Sequence, residues 1–344
     1  MKRLITTLLL GGISLGIMTS GLYAGSKQRV GTSAASQLLI PVGARDLAMG
    51  GSTVALSSGI EALYWNPAGI ARSGNNADLM VSRMDYFADI GVNYVAVSGN
   101  FSGFGSLAFS VKSLSFGDIP ITTEDAPDGT GGSFSPTFFT TGLTFARQLT
   151  DRVFVGVTLN LISEEFSRVQ ASGTALTVGV QYSSFVNVPG LTVGVVIKDV
   201  GTQMQYGGPG LLRTGSFSDA DRGPAFSSIQ AASFDLPSTM ELGMSYTVPM
   251  PGNSLVNLTG MFQNNNYSSD EYRVGGEYVF GDFAFVRGGY TLAADDDEEA
   301  YLFGPTFGGG VKLDVTGLDM AVDYGFRASE ILAANHVFAL KIGF

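Results

Sequence analysis

From about residue 76 onward the chain alternates between apolar and small or polar side chains with a period of two, and few folds tolerate that pattern at such length. In Val153-Phe154-Val155-Gly156-Val157-Thr158-Leu159-Asn160-Leu161 every odd position is apolar. Leu176, Val178, Val180 and Tyr182 alternate with Thr177, Gly179 and Gln181, and Met240, Leu242, Met244 and Tyr246 with Glu241, Gly243 and Ser245. Leu318, Met320, Val322, Tyr324 and Phe326 oppose Asp319, Ala321, Asp323 and Gly325 in the same way. A period of two places the two sets on opposite faces of a strand. Strand and turn signals together give about fourteen segments, near 77–86, 88–100, 104–115, 136–149, 152–166, 172–185, 190–203, 237–247, 254–265, 270–280, 283–293, 303–314, 318–327 and 335–344.

The connections are sorted by length. Tight turns at 149–152, 187–190, 248–253, 281–282 and 315–317 alternate with mostly longer, glycine-, serine- and acid-rich loops at 117–135, 203–236, 264–269, 294–302 and 327–334. A sandwich has no reason to sort its loops, whereas a transmembrane barrel has short turns on its periplasmic side and longer loops outside. The expected fold is all-β, a fourteen-stranded antiparallel transmembrane β-barrel over 77–344, with both chain ends periplasmic.

Composition narrows the function. The chain has 47 glycines, 24 phenylalanines, 13 tyrosines, only 14% charged residues and a net charge of −11, so there is no basic stripe for nucleic acid. It has no cysteine and one histidine, which removes disulfides, thiolate nucleophiles and multi-histidine metal sites. No cofactor is expected. Met1-Lys2-Arg3, the apolar run from Leu4 to Met18 and the small residue in Leu22-Tyr23-Ala24 read as a secretory signal over 1–24, cleaved after Ala24. An exported chain of this kind belongs in the outer membrane of a Gram-negative-type bacterium. The last strand alternates and ends on Phe344, and with Phe338, Leu340 and Ile342 it resembles the terminal signal that barrel-assembly machinery reads. Leu340 should face lipid and Lys341 the lumen, so that arginine would be costly at the first and nearly silent at the second.

Residues 38–75 do not alternate, and 25–76 have the size and position of an amino-terminal hatch folded into the lumen. Met49-Gly50-Gly51, followed by Trp65-Asn66-Pro67-Ala68-Gly69, resembles the hatch signature of the FadL superfamily of outer-membrane barrels. The tryptophan before Asn-Pro-Ala is similar in particular to the PorV/PorQ branch. The matching stretch is about thirty residues, and the superfamily's fourteen strands agree with the count above. The resemblance implies a barrel closed by its amino-terminal segment. In the FadL branch such a barrel conducts hydrophobic molecules, so a hydrophobic ligand is implied. In the PorV branch it serves type IX secretion, with the translocon, the surface-attachment proteins and cargo carboxy-terminal domains as partners. The Asn66-Pro67-Ala68 turn would either seat the plug or touch a ligand. Lumen-parity residues Glu241, Arg273, Glu277 and Asp323 are candidates to hold it.

Other chemistry reads weakly. His336 shares parity with Phe338 and should face outward at the outer rim, without a nucleophile fixed by spacing. The acids Asp295-Asp296-Asp297-Glu298-Glu299 lack the spacing and turn glycine of a calcium loop and read as solvated, as do Glu124, Asp125 and Asp128. The loop 203–236 differs, because Tyr206, Leu211, Leu212, Phe217, Phe226, Ile229 and Phe234 lie among its glycines and serines. Either it folds back over the barrel mouth or it presents apolar surface to a partner. The reading is a non-enzymatic outer-membrane barrel that binds cargo or partners in type IX secretion. The alternative is a FadL-like channel for long-chain fatty acids or other hydrophobic compounds.

Overall fold

A computed structural model describes residues 29–215, 225–281, 283–293, 302–315, 317–329 and 331–344. Fourteen strands close into one antiparallel barrel. They are β1 Ala77–Asp85, β2 Gly91–Phe101, β3 Gly105–Ser115, β4 Thr137–Thr150, β5 Val153–Phe166, β6 Val169–Ser183, β7 Leu191–Gly201, β8 Thr239–Met250, β9 Ser254–Asn265, β10 Glu271–Phe280, β11 Ala284–Ala293, β12 Phe303–Val315, β13 Leu318–Ser329 and β14 Asn335–Gly343. Each pairs with its sequence neighbour, and β14 returns to β1 over Asp78↔Gly343 to Asp85↔His336. No sheet edge is left open, which a lipid-facing sheet requires because lipid offers no hydrogen bonds.

The alternation sets the two surfaces. Leu143, Leu159, Leu161, Val178, Leu242, Leu258, Leu340 and Phe338 stand exposed on the outer wall. Thr144, Thr158, Thr177, Gln181, Glu241, Glu277 and Asp323 are buried within it. Phe344 is exposed at the end of the closing strand, and its backbone pairs with Asn76 and Ala77. His336 is exposed as its parity requires, and its Nδ1 lies 2.9 Å from the Tyr324 hydroxyl. The sorting of connections holds with two exceptions, a two-residue hairpin between Phe166 and Val169 on the long-loop side and a seven-residue connection, 184–190, on the short-turn side. The neighbouring long loop reaches over that hairpin, bridging Gly207 to Gln170.

Leu340 lies mid-strand between Val81 and Val322, facing outward. Arginine there should cost about 2–4 kcal/mol of barrel stability, read by urea titration in lipid vesicles. Lys341 faces the lumen as expected but is not a free position. Its ammonium lies 2.9 Å from Glu61 and 3.0 Å from Asp323, so a change there cannot be silent.

Residues 36–72 form short turns rather than strands: 3-10 turns at Ser36–Leu39, Gly59–Glu61 and Pro67–Arg72, and single helical turns at Ala44–Ala48 and Ala62–Trp65. They touch strands around the circumference, from Lys112 on β3 to Gln181 on β6, Thr306 on β12 and Lys341 on β14. A short segment that touches a closed barrel on all sides lies inside it. The path of the chain corrects one expectation. Arg29 pairs with Asp235 at 2.6 Å, its guanidinium lies 4.8 Å over the Tyr267 ring, and the Ala34 N–H bonds to Asp235 O. Asp235 and Tyr267 belong to long outer loops, so the first described residues lie at the outer mouth, not on the periplasmic side. Asn76, beside Phe344, marks the periplasmic end. The segment therefore traverses the lumen from outside to inside before the first strand begins.

Candidate functional site

The plug and its seat form a densely hydrogen-bonded polar region, and Asn66 is its pivot. The side chain is fully buried. Its Oδ1 accepts from the Ala68 N–H at 3.2 Å, capping the 3-10 turn whose first residue is Pro67. Asparagine in this role satisfies a donor that the turn leaves orphaned, and proline at the first position lacks an N–H that would need a partner. The Nδ2 donates to Val54 O at 2.8 Å within the plug and to Val180 O at 3.2 Å on β6. The carboxylate and guanidinium candidates do not hold it. Glu241 pairs with Lys198, Arg273 with Glu271, and Glu277 and Asp323 with other cations. The unforeseen contact is Gln181, whose amide donates to Val54 O at 3.0 Å and Ser57 O at 2.9 Å while its Oε1 accepts from Arg72 at 2.9 Å.

Glycine lets the backbones come this close. Gly156 on β5 is paired directly with Gly179 on β6, and a β-carbon on either would fall 2.3 Å from the Pro67 carbonyl carbon or 2.0 Å from Asn66 Oδ1. The same device recurs around the wall. Gly194 pairs with Gly243 under Val54, Gly275 with Gly289 under Met49 and Gly50, and Gly308 with Gly325 under Ala48 and Ala44. The high glycine content therefore paves the lumen where the plug lies. The spacing of the two motif halves has a physical cause as well. A β-carbon on Gly51 would meet the Trp65 ring at 2.8 Å, and Trp65 Nε1 donates to Val42 O at 3.2 Å. The indole thus ties the Met49-Gly50-Gly51 turn to the Asn66-Pro67-Ala68 turn, and each turn sits on its own glycine pair.

Beside this seat six ionic side chains close a ring of alternating sign. Arg45 binds Glu277 through two bonds of 3.0 and 2.9 Å. Glu277 accepts from Arg287 at 2.6 Å, and Arg287 in turn binds Asp323. Asp323 lies 3.0 Å from Lys341, Lys341 lies 2.9 Å from Glu61, and Glu61 returns to Arg45 at 3.2 Å. Arg45 and Glu61 come from the plug and the other four from β10, β11, β13 and β14. An isolated buried ion is costly, so each member is tolerable only while its neighbours stay in place. The lumen parity of the wall members was legible from alternation, but their pairing was not.

Asp46, next to the ring, is buried, and burial pushes its carboxyl up to about 7, with the charge of Glu61 adding and that of Arg45 opposing. The folded plug thus favours the protonated form. That contribution is complete below the ordinary carboxylate range and is lost as the pH rises through about 7. Protease protection of the plug should fall from acid to neutral pH in the wild type. It should stay flatter in Asp46→Asn, and equal slopes would reject the assignment.

Of the candidate outer-loop residues, Tyr206 and Leu211 are half-buried, and Tyr206 packs against the buried cluster that contains Ala34, Leu38 and Met204 and donates to Glu164. Leu212, Phe226, Ile229 and Phe234 are exposed, Phe226 to 79%. Leu212 and Phe226 belong to a two-stranded hairpin of Leu212–Gly215 with Ala225–Ser228 above the mouth. Phe217 and the acids 295–299 lie outside the described residues. Among the described residues no three of histidine, cysteine, aspartate and glutamate converge to hold a metal.

The family model described as type IX secretion system protein PorV matches residues 23–191, a span holding the plug, its glycine seat on β5 and β6, and the strands up to the start of β7. No curated protein sequence matches the chain. Among solved structures, the toluene transporter TodX of Pseudomonas putida is 13% identical with a TM-score of 0.57, covering 88% of this chain and 99% of that one. The CymD monoaromatic hydrocarbon channel is 15% identical with a TM-score of 0.54, covering 89% and 98%. A Pseudomonas aeruginosa FadL homologue is 12% identical with a TM-score of 0.53, covering 89% and 98%. At these identities the likeness is one of fold. The PorV-family match and the FadL-like barrel together support an outer-membrane location, and the families found are transport and secretion barrels rather than enzymes.

Proposed function

We propose that this barrel is a non-enzymatic partner protein of type IX secretion, delivered by a signal cleaved after Ala24, with residues 25–76 as its hatch. Its outer hairpin docks cargo carboxy-terminal domains, the translocon or surface-attachment proteins. The observation that carries this reading is the contrast between a plug turn fastened to the barrel wall and an exposed apolar loop. Asn66 is fully buried, and the Asn66 turn is fastened to the wall. Above it, Phe226, Ile229 and Leu212 stand in solvent on a small hairpin. Apolar side chains grouped on a surface loop are a common mark of a protein-binding face.

The rival reading, passage of a hydrophobic compound, draws on the FadL-like fold. The outer cavity of the lumen sets Lys198, Glu241, Glu271, Arg273 and Arg327 among apolar side chains such as Leu38, Ile40, Trp65 and Phe303, so such a compound would pass charged groups there. A photoreactive residue at Phe226 in intact cells should cross-link to exported proteins or secretion components. Removing the hairpin should leave the barrel assembled and abolish surface display of cargo. Normal cargo display in a strain lacking the whole protein, combined with lost hydrocarbon uptake, would reject the proposal in favour of the channel.

A further inference from the structure

The outer limb of the plug, residues 29–41, is held differently from the rest. Farther along, the plug rests on the glycine pairs. A β-carbon on Gly156, Gly179, Gly194 or Gly289 would fall between 2.0 and 2.4 Å from a plug atom, so that part has little room to shift. Leu38, Leu39, Ile40 and Pro41 instead line a cavity of about 400 Å³ that they share with Trp65. The limb therefore has space to move into. Ala35, just before the turn at Ser36–Leu39, is held at a φ of 52°, a left-handed backbone that alanine adopts only where its surroundings impose it.

The residues before Ala35 are fastened to the base of the loop 203–236. Arg29 reaches Asp235 at 2.6 Å, Asn266 Oδ1 at 3.3 Å and the face of the Tyr267 ring, and the Ala34 N–H donates to Asp235 O at 3.0 Å. Gln203 donates to the second oxygen of the same carboxylate at 2.7 Å. Met204-Gln205 and Ser233-Phe234 pair as the two feet of the loop. Ala34, Ala35 and Leu38 belong to one buried cluster with Met204 and Leu236 of the loop and Ile162 of the wall. Limb and loop feet thus form one unit, and the same loop carries the hairpin of Leu212 and Phe226. The Arg29 and Asp235 side chains are 43% and 41% exposed, and ion pairs and cation–π contacts so open to solvent are individually weak. Such a clasp costs little to open beside the buried ring around Arg45.

We infer that residues 29–41 form a strap latched by Arg29 to the base of the outer loop, so that displacing the loop releases the strap into the outer cavity. Coupling of this kind is reciprocal, so cutting the latch from the strap side must also loosen the loop. That a docked partner is what displaces the loop rests on the function proposed above. The latch itself does not, and it is tested on the purified barrel with no partner present. The chain has no cysteine and Leu38 is 4% exposed, so Leu38→Cys gives a single thiol whose maleimide labelling rate follows the fraction of molecules with the strap lifted. Adding Arg29→Ala should raise that rate about fivefold, through the loss of one weak ion pair and one cation–π contact. Asp235→Asn should act in the same direction, and the two together should exceed Arg29→Ala alone by little, because they cut one clasp. Amide exchange at 203–206 and 233–236 should accelerate by a similar factor, while exchange at Pro67–Arg72 stays unchanged. Heat-modifiable gel migration checks that each variant remains a folded barrel. Unchanged labelling in both Arg29→Ala and Asp235→Asn would overturn the latch, and faster labelling without faster exchange at the loop feet would overturn the coupling. Acceleration that extends to Pro67–Arg72 would mean that the whole plug loosens together and that no separate strap exists.

Discussion

Arg45→Ala should convert a closed barrel into a leaky one. The substitution leaves the alternating ring one cation short, with Glu61 and Glu277 each losing a partner inside the lumen. Breaking a buried pair by removing one member typically costs 3–5 kcal/mol, because the remaining charge stays buried and unpaired. Arg45 and Glu61 belong to the plug and the other members to the wall, so the cost falls on the seating of the plug and not on the strand ladder. In planar bilayers the wild type should be closed or nearly so, and Arg45→Ala should show frequent opening. Arg45→Met combined with Glu61→Gln should open less than Arg45→Ala alone, because Glu277 keeps Arg287 and no second acid is stranded. Equal leakage from the single and double variants would mean that bulk, rather than charge, holds the plug.

The second large effect concerns the glycine seat. Gly179→Val places a side chain where Asn66 Oδ1 now lies 2.0 Å from the β-carbon position, and no small shift can relieve that. Valine is favoured in strands, so the barrel wall itself should assemble. The Asn66-Pro67 turn should be expelled, and protease should cut within the plug while the barrel core stays resistant. Asn66→Ala with Pro67→Ala in the wild-type wall should loosen the plug more mildly, since the seat remains. A Gly179→Val barrel that still protects its plug fully would show that the turn does not need this seat.

The strand count, the closure and the facing of Leu340, Lys341 and His336 were legible because alternation is a local signal repeated along every strand. The interior was legible only in part. Glu277 and Asp323 could be assigned to the lumen by parity, yet their partners Arg45 and Lys341 depend on how distant segments meet. Arg29 reaches Asp235 across most of the chain, so nothing near either residue announces that the plug begins at the outer mouth. The glycine pairs were visible as composition and were read as general barrel character. Two clues could have shown more. Gly156, Gly179, Gly194, Gly243, Gly275, Gly289, Gly308 and Gly325 all fall on lumen parity, and neighbouring strands carry them at matching heights. Gln181 gave no signal beyond being a polar residue on the inner face.

The direction in which the plug crosses the lumen bears on the order of assembly. Its far end is tied to outer loops by Arg29, and its near end joins β1 at the periplasmic rim. A barrel that closed β14 onto β1 first would afterwards have to feed this segment, end first, through a space that the wall side chains already narrow. A sheet still open at that seam could fold around the segment sideways, each glycine pair meeting its turn as the wall curls. The β1–β14 seam would then be the last ladder to zip, with Lys341 on the closing strand capturing Glu61 as it arrives.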